Sequence, residues 1–458
     1  MNILILGAGQ VGETAADSLS GEEAHQVTIV DKNETVLKKL QERLDARTVV
    51  GHASYPEVLD RAGAKNADMI IAVTRSDETN MVICQIAHSI FNIPKKISRI
   101  RSQEFLGAKW NKLYTKSNLP IDVIISPELE VAKSLQRKLE APGALDSVPF
   151  ADGKIKVLEI NVDKKCPLIN TELGKLTERF PDLRANILGV IRGENFLILK
   201  KKDKLMLGDK AFVVINAAQI NKTLAAFGHD EKMAKKILII GGGNIGFNLA
   251  KNIEESFDSA RIKIIEKDKQ RAEHIANELN NTIIINGNGL EENVLTEANI
   301  DEAETVIALT NDDEDNLMAS VMVEKISKNK RTMALINKPN YSLLQSSLKI
   351  DDLIDPRMNT VSSILKHVHK GTIQTAYTLL DGEYEVIEAE IIDTSELINK
   401  ELKKANLPDS IRIGAVLRGK EIIIPRSSFV FKEKDIVVFL AQRDQLSTVE
   451  SMFRISSF

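Results

Sequence analysis

The sequence predicts an α/β chain in which two doubly wound parallel-sheet domains, each followed by a small α+β domain, stand in tandem duplication. Three observations carry this. A strand, a glycine-rich turn and a helix-like stretch open the chain and recur in its second half. Each copy is followed by a second strand ending in an acid. The alternating, strand-rich texture after each copy repeats as well. The period is domain-sized, unlike the short repeats that build solenoids.

The first opening reads Ile3-Leu4-Ile5-Leu6-Gly7-Ala8-Gly9-Gln10-Val11-Gly12, and the second Ile237-Leu238-Ile239-Ile240-Gly241-Gly242-Gly243-Asn244-Ile245-Gly246. A lone GxGxxG is weak, because glycines also mark ordinary turns, so its surroundings decide. Here an apolar run precedes each first glycine, and a helix-like stretch such as Glu13-Thr14-Ala15-Ala16-Asp17-Ser18-Leu19 follows the last. The second strands, Val27 to Val30 and Ile262 to Ile265, end in Asp31 and Glu266. Both acids lie roughly 20 residues past the glycines, where a ribose-binding carboxylate belongs. The spacing is that of a Rossmann dinucleotide fingerprint, and the alternative is a Rossmann-like scaffold without a ligand.

The residue types follow from the chemistry. The first glycine allows the tight turn, the second lets backbone N–H groups approach a pyrophosphate, and the third lets the helix pack on the strand. This assigns Gly7, Gly9 and Gly12 to the first turn and Gly241, Gly243 and Gly246 to the second. Asp31 and Glu266 would accept ribose hydroxyls and repel a 2′-phosphate, favouring NAD(H) or an adenine nucleotide over NADP(H).

Further along, Ala67 to Thr74 reads as a buried strand followed by a polar turn and a helix, and Ala303 to Thr310 repeats it. Ile121 to Pro127 is echoed by Ile350 to Pro356 as the last strand and start of the last helix. The apolar stripe Leu129, Val131, Ala132, Leu135 and Leu139 on that helix suits either a subunit contact or an intramolecular core. Then Lys156 to Val162 and Glu385 to Ile391 alternate apolar and polar residues. Ile191-Arg192-Gly193 matches Leu417-Arg418-Gly419, and Gly208-Asp209 matches Lys434-Asp435. The charged stretch Asp230 to Lys236 reads as a linker or short helix between the halves. The domain boundaries are drawn at 1–140, 141–228, 235–365 and 370–458.

The net charge of −4 argues against a general nucleic-acid surface. Cys84 and Cys166 stand in apolar contexts without metal-ligand spacing, as buried thiols of a reduced compartment do. No apolar run approaches the length of about 20 residues needed to cross a bilayer, so the chain is expected to be soluble.

The order of modules, the paired glycine turns and the Arg-Gly turn of the small domains resemble the tandem RCK family, in which a KTN-type Rossmann domain (RCK-N) is followed by a TrkA-C-type small domain (RCK-C). The resemblance covers nearly the whole chain. It implies a cytosolic subunit of a bacterial Trk-type potassium uptake system that binds NAD(H), with ATP or ADP at the same sites. It also implies a homotetramer, peripheral on the inner face of the cell membrane, under a potassium-translocating membrane subunit of the TrkH/TrkG type. Carried over by position, it puts pyrophosphate binding on Gly7, Ala8, Gly9, Gln10 and Val11 and ribose binding on Asp31. His52, Ala53, Thr74 and Arg75 would line the remainder, and Arg99 would reach the phosphates. In the second half the carried positions are Gly241, Gly242, Gly243, Asn244, Ile245, Glu266, Thr310 and Asn311. There the arginine strand reads Ala334-Leu335-Ile336-Asn337-Lys338, so a lysine without the planar fork would stand in for Arg99. Gly51-His52 and Gly287-Asn288 depart from the Gly-Asp pair usual in the family. His52 in this turn reads as a solvated loop histidine, with no base or metal constellation around it in the sequence.

Two other classes compete. An NAD-dependent oxidoreductase needs an acid or base over the nicotinamide, but the histidines are scattered, and His367 and His369 have no acidic pair close in sequence. A nucleotide-sensing transcription factor needs a helix-turn-helix or a basic patch, and neither is visible. The expected mechanism is ligand-biased gating without catalysis of any reaction.

Overall fold

The computed structural model describes residues 1–21, 25–175, 180, 183–327, 330–368, 373–379, 383–445, 448, 452 and 453. His369 lies outside the described residues. The chain divides into two compact units, Met1–Gln136 with Ala234–Ile364 and Arg137–Met233 with Leu365–Phe458.

The first unit holds two six-stranded sheets of identical topology. In the first half the strands are β1 (Asn2–Leu6), β2 (Gln26–Asp31), β3 (Arg47–Val50), β4 (Met69–Ala72), β5 (Lys95–Arg99) and β6 (Val123–Ile125), in the order β3-β2-β1-β4-β5-β6. All pairings are parallel, with Ile3 beside both Val27 and Met69. Ile3, Leu4, Ile5 and Leu6 are all buried, because helices cover both faces of a parallel sheet and leave no polar side to the strand. The helix Gln10–Ser20 turns Val11, Ala15, Ala16 and Leu19 inward on one stripe. The strand order reverses between β1 and β4, and a doubly wound sheet opens a crevice at that switch point.

The second half repeats the plan with strands Lys236–Ile240, Arg261–Glu266, Ile283–Asn286, Thr305–Ala308, Arg331–Leu335 and Asp352–Ile354. Residues 231–235 have no regular structure, so the charged stretch is a linker, and Lys236 already belongs to the next strand. Val131, Ala132, Leu135 and Leu139 on the helix Pro127–Glu140 are buried within the chain, which favours the core reading of that stripe.

The second unit holds two five-stranded antiparallel sheets. In the first, strands Asn195–Leu197, Ala185–Arg192, Lys210–Asn216, Ile155–Asn161 and Asp146–Phe150 lie side by side in that order. The other runs Glu421–Ile423, Ile411–Arg418, Ile436–Gln442, Tyr384–Glu390 and Ile373–Leu379. The two share a core in which Phe150, Leu188 and Phe212 meet Val386, Leu417 and Leu440. The matched Arg-Gly and Asp motifs are one device made twice. Arg192 donates to both carboxylate oxygens of Asp209 at 2.8 Å, and Arg418 to those of Asp435 at 2.8 and 2.7 Å. Both aspartates are almost fully buried and also accept a backbone N–H, from Met206 and Lys432. Cys84 and Cys166 are free and buried. Among the described residues no helix is long and apolar enough to cross a membrane.

Candidate functional site

The three glycines of the first turn are there for different reasons. Gly7 has φ +113°, and an added Cβ would lie 3.0 Å from both Val73 O and Thr74 N. At Gly12 a Cβ would sit 1.9 Å from Gly7 O, so no side chain fits between turn and helix. Gly9 carries neither constraint: its φ is −73° and a Cβ would meet nothing within 4 Å. It stands at the start of the helix Gln10–Ser20, which has no side-chain cap, so the first backbone N–H groups are left to whatever occupies the open space. The second turn repeats the backbone geometry: Gly241 has φ +110°, a Cβ on Gly246 would lie 2.1 Å from Gly241 O, and at Gly243, φ −61°, a Cβ would meet nothing within 4 Å.

The acids at the ends of the second strands also match. Asp31 Oδ2 accepts the Ala8 N–H at 2.7 Å and Oδ1 the Asn33 N–H at 2.8 Å. Glu266 Oε2 accepts the Gly242 N–H at 2.7 Å and Oε1 the Asp268 N–H at 2.8 Å. Each oxygen keeps a further lone pair for a hydroxyl donor.

A cavity of about 1320 Å³ opens over the first turn and extends to the second half of the same unit. Its wall includes Gly7, Gly9, Gln10, Val11, Asp31, His52, Ala53, Thr74, Arg75 and Arg99 from the first half, and Gly243, Asn244, Ile245 and Asn311 from the second. Ala8 and Gly12 are buried and do not line it. Gly241, Gly242, Gly246, Glu266 and Thr310 also lie outside the lining, so the cavity reaches the second helix start but not the second acid.

Arginines from both halves line the cavity. Arg99 Nη2 donates to Thr74 O at 2.6 Å, while its buried Nε has no partner among the described residues. Burial and the neighbouring Arg101 lower the Arg99 pKa, and Asp77 and Glu128 oppose them. Arg101 Nε donates to Glu128 Oε1 at 3.0 Å. From the second half, Arg357 is held by Asp355 through Nε and Nη2. Arg101, Glu128, Arg357 and Asn337 all line the wall, and sequence reasoning missed them. The signal for Glu128 and Arg357 was present, since each follows the proline that starts its last helix.

The substitution expected for Arg99 is corrected by the hydrogen bonding. Asn80 Nδ2 donates to Arg99 O at 2.9 Å, and Asn316 Nδ2 to Leu335 O at 3.0 Å, which makes Leu335 the counterpart of Arg99. Lys338 is the counterpart of Ser102, since both backbone N–H groups bind the aspartate that opens the preceding helix. Its Nζ pairs with Glu314 Oε1 at 2.6 Å, and it does not line the cavity. No lysine replaces Arg99. His52 is exposed, stacked on Tyr55 at 4.9 Å with Nδ1 2.8 Å from Ser54 Oγ.

An uncapped helix start, a carboxylate and a half-buried guanidinium on one wall suit a ribose joined to phosphates. The TrkA-N domain model matches residues 3–127 and 237–356, and the TrkA-C domain model residues 157–228 and 386–454. The Trk system potassium uptake protein TrkA of Azorhizobium caulinodans is 41% identical over 100% of this chain and 99% of its own length. The chain belongs to the TrkA family. The TrkA of Vibrio alginolyticus is 37% identical over the whole of both chains, and TrkA homolog 1 of Methanosarcina mazei 31% over 99% of this chain and 100% of that one. These TrkA proteins belong to a potassium uptake system, which sets the oxidoreductase alternative aside. The TrkA fold is shared with the GsuK RCK domain, at 17% identity and a TM-score of 0.58 over 99% of this chain and 95% of that one. The GsuK channel bound to NAD gives 17% and 0.59 over 99% and 79%.

Proposed function

We propose that this chain is the cytosolic regulatory subunit of a Trk-type potassium uptake system, binding NAD(H), or ATP and ADP at the same sites, and gating a membrane-embedded partner of the TrkH/TrkG type. The observation that carries the reading is the joint placement of Gly9, Asp31 and Arg99 on one wall, with the helix start uncapped and Arg99 Nε unpartnered. The sequence-assigned residues of both turns are the proposed binding residues, within domains bounded at 1–140, 141–228, 235–365 and 370–458. The full-length TrkA relatives support the transport role, and the NAD-bound GsuK channel, of the same fold, supports the dinucleotide.

Ligand binding would shift the packing of the first unit and work as a homotetramer on the inner face of the membrane. Moving a two-state switch from about 1:99 to 99:1 takes roughly 5.5 kcal/mol, or about 1.4 kcal/mol per subunit shared among four. A tenfold preference per site is therefore sufficient. The test is titration of the purified chain with NADH and ADP. Because a Cβ at Gly9 meets nothing, Gly9→Leu leaves the turn intact and fills the ligand's space. Saturable binding by wild type and its loss from the first site in Gly9→Leu is the expected result; no binding by wild type overturns the reading.

A further inference from the structure

The second turn departs from the first at one side chain. Val36, the third residue of the helix Glu34–Arg43, lines the cavity; its counterpart, the third residue of Lys269–Glu278, is Arg271. Arg271 Nε donates to Gly242 O at 2.8 Å and Nη2 to Asn244 Oδ1 at 3.4 Å, and the guanidinium lies 5.5 Å from the Phe247 ring centroid. It thus bridges the middle of the glycine turn to the start of the next helix, beside Glu266. That is the path from pyrophosphate to ribose in a Rossmann site.

The surroundings are drawn in to match. A Cβ on Gly242 would lie 2.6 Å from Ile275 Cδ1, whereas the first half carries Ala8 at that place. Asp31 and Val36 both face the cavity, while Glu266 and Arg271 do not. Gly9 is exposed and Gly243 half-buried.

The geometry points to Arg271 as a specificity-determining gate on the second turn: an adenine dinucleotide or ADP enters there only by displacing the guanidinium from Gly242 O. The two fingerprints are therefore unequal sites, the first open and the second closed by its own side chain. This rests on the nucleotide reading of the first turn. Giving up a hydrogen bond from a charged donor corresponds to about tenfold or more in affinity.

The experiment titrates NADH into the full-length chain carrying Gly9→Leu, which leaves only the second site, and into the same chain with Arg271→Val or Arg271→Met added. Arg271→Val copies Val36; Arg271→Met keeps an aliphatic stem on Phe247 and guards against a folding defect in the first variant. The expected result is binding about tenfold tighter in both double variants, abolished when Gly243→Leu is added. Unchanged or weaker binding in both overturns the gate, as does NADPH bound in preference to NADH by Gly9→Leu and lost with Arg271→Val, which would make the guanidinium a phosphate ligand. Failure of the wild-type chain to bind NADH or ADP is a different outcome: it removes the nucleotide reading itself and the gate with it.

Discussion

The Asp31 carboxylate accepts the Ala8 N–H at 2.7 Å, and in the second half Glu266 accepts the Gly242 N–H at the same distance. The acid at the end of the second strand therefore holds the glycine turn in shape before any ligand arrives. Its free lone pairs remain for a ribose.

Asp31→Asn keeps one acceptor oxygen for the Ala8 N–H, replaces the one that serves the Asn33 N–H with an amide donor, and loses the charge. NADH binding at the first site should weaken by about tenfold or more, because a hydrogen bond to a charged group contributes roughly 1.5–3 kcal/mol. Thermal melting should fall in both variants, because Asp31→Asn loses one of the two backbone acceptances and Asp31→Ala loses both. Calorimetric titration and melting curves separate the two effects, and equal NADH affinity in all three chains would contradict the ribose role.

Arg99→Leu places in the first half the residue that stands at 335 in the second. ADP and ATP should bind about tenfold or more weaker, and adenosine, which has no phosphate, should bind unchanged. A parallel loss for adenosine would mean that Arg99 shapes the wall instead of holding phosphate.

Glu388 is buried in the second unit, where its Oε2 accepts the Ala151 N–H at 2.7 Å in a turn with Ala151 at φ +51°. Burial raises its pKa above 4.5, against the pull of that hydrogen bond. The fold favours the protonated acid, so its contribution is fully present below the unfolded value and lost as pH rises through the higher folded one. Glu388→Gln keeps the acceptor without the charge. It should be more stable than wild type at about pH 7, with the difference closing towards about pH 4 in urea denaturation. A gap independent of pH would contradict this.

Burial pushes the Cys84 thiol up to about 12, and Cys166 is raised for the same reason. Neither should react with a thiol reagent in the native chain at about pH 8, and both should react in denaturant. Labelling of either in the native chain would show that its cover opens.

Much of this was legible because it is local. Apolar runs such as Ile237-Leu238-Ile239-Ile240 mark strands buried on both faces, and the glycine spacing with its following acid fixes turn, helix and second strand together. Relationships between distant residues were not legible. The pairing of Arg192 with Asp209 was visible only as two matched motifs. Charge aligns Arg99 with Lys338, whereas backbone register, fixed by Asn80 and Asn316, aligns it with Leu335. The fingerprint ends at the acid, five residues before Arg271, and so carries no signal for that side chain. The sharing of one cavity by both halves depends on how two sheets pack, which no single motif encodes.

The most direct test of the account is potassium uptake at low external potassium in cells lacking this gene, complemented with the wild-type chain, with Gly9→Leu, or with Gly9→Leu and Gly243→Leu together. The account predicts that wild type restores uptake and that the chains blocked at the first site or at both, present at equal levels, do not restore regulated uptake. Normal uptake without the gene, or full rescue by the doubly blocked chain, would contradict it.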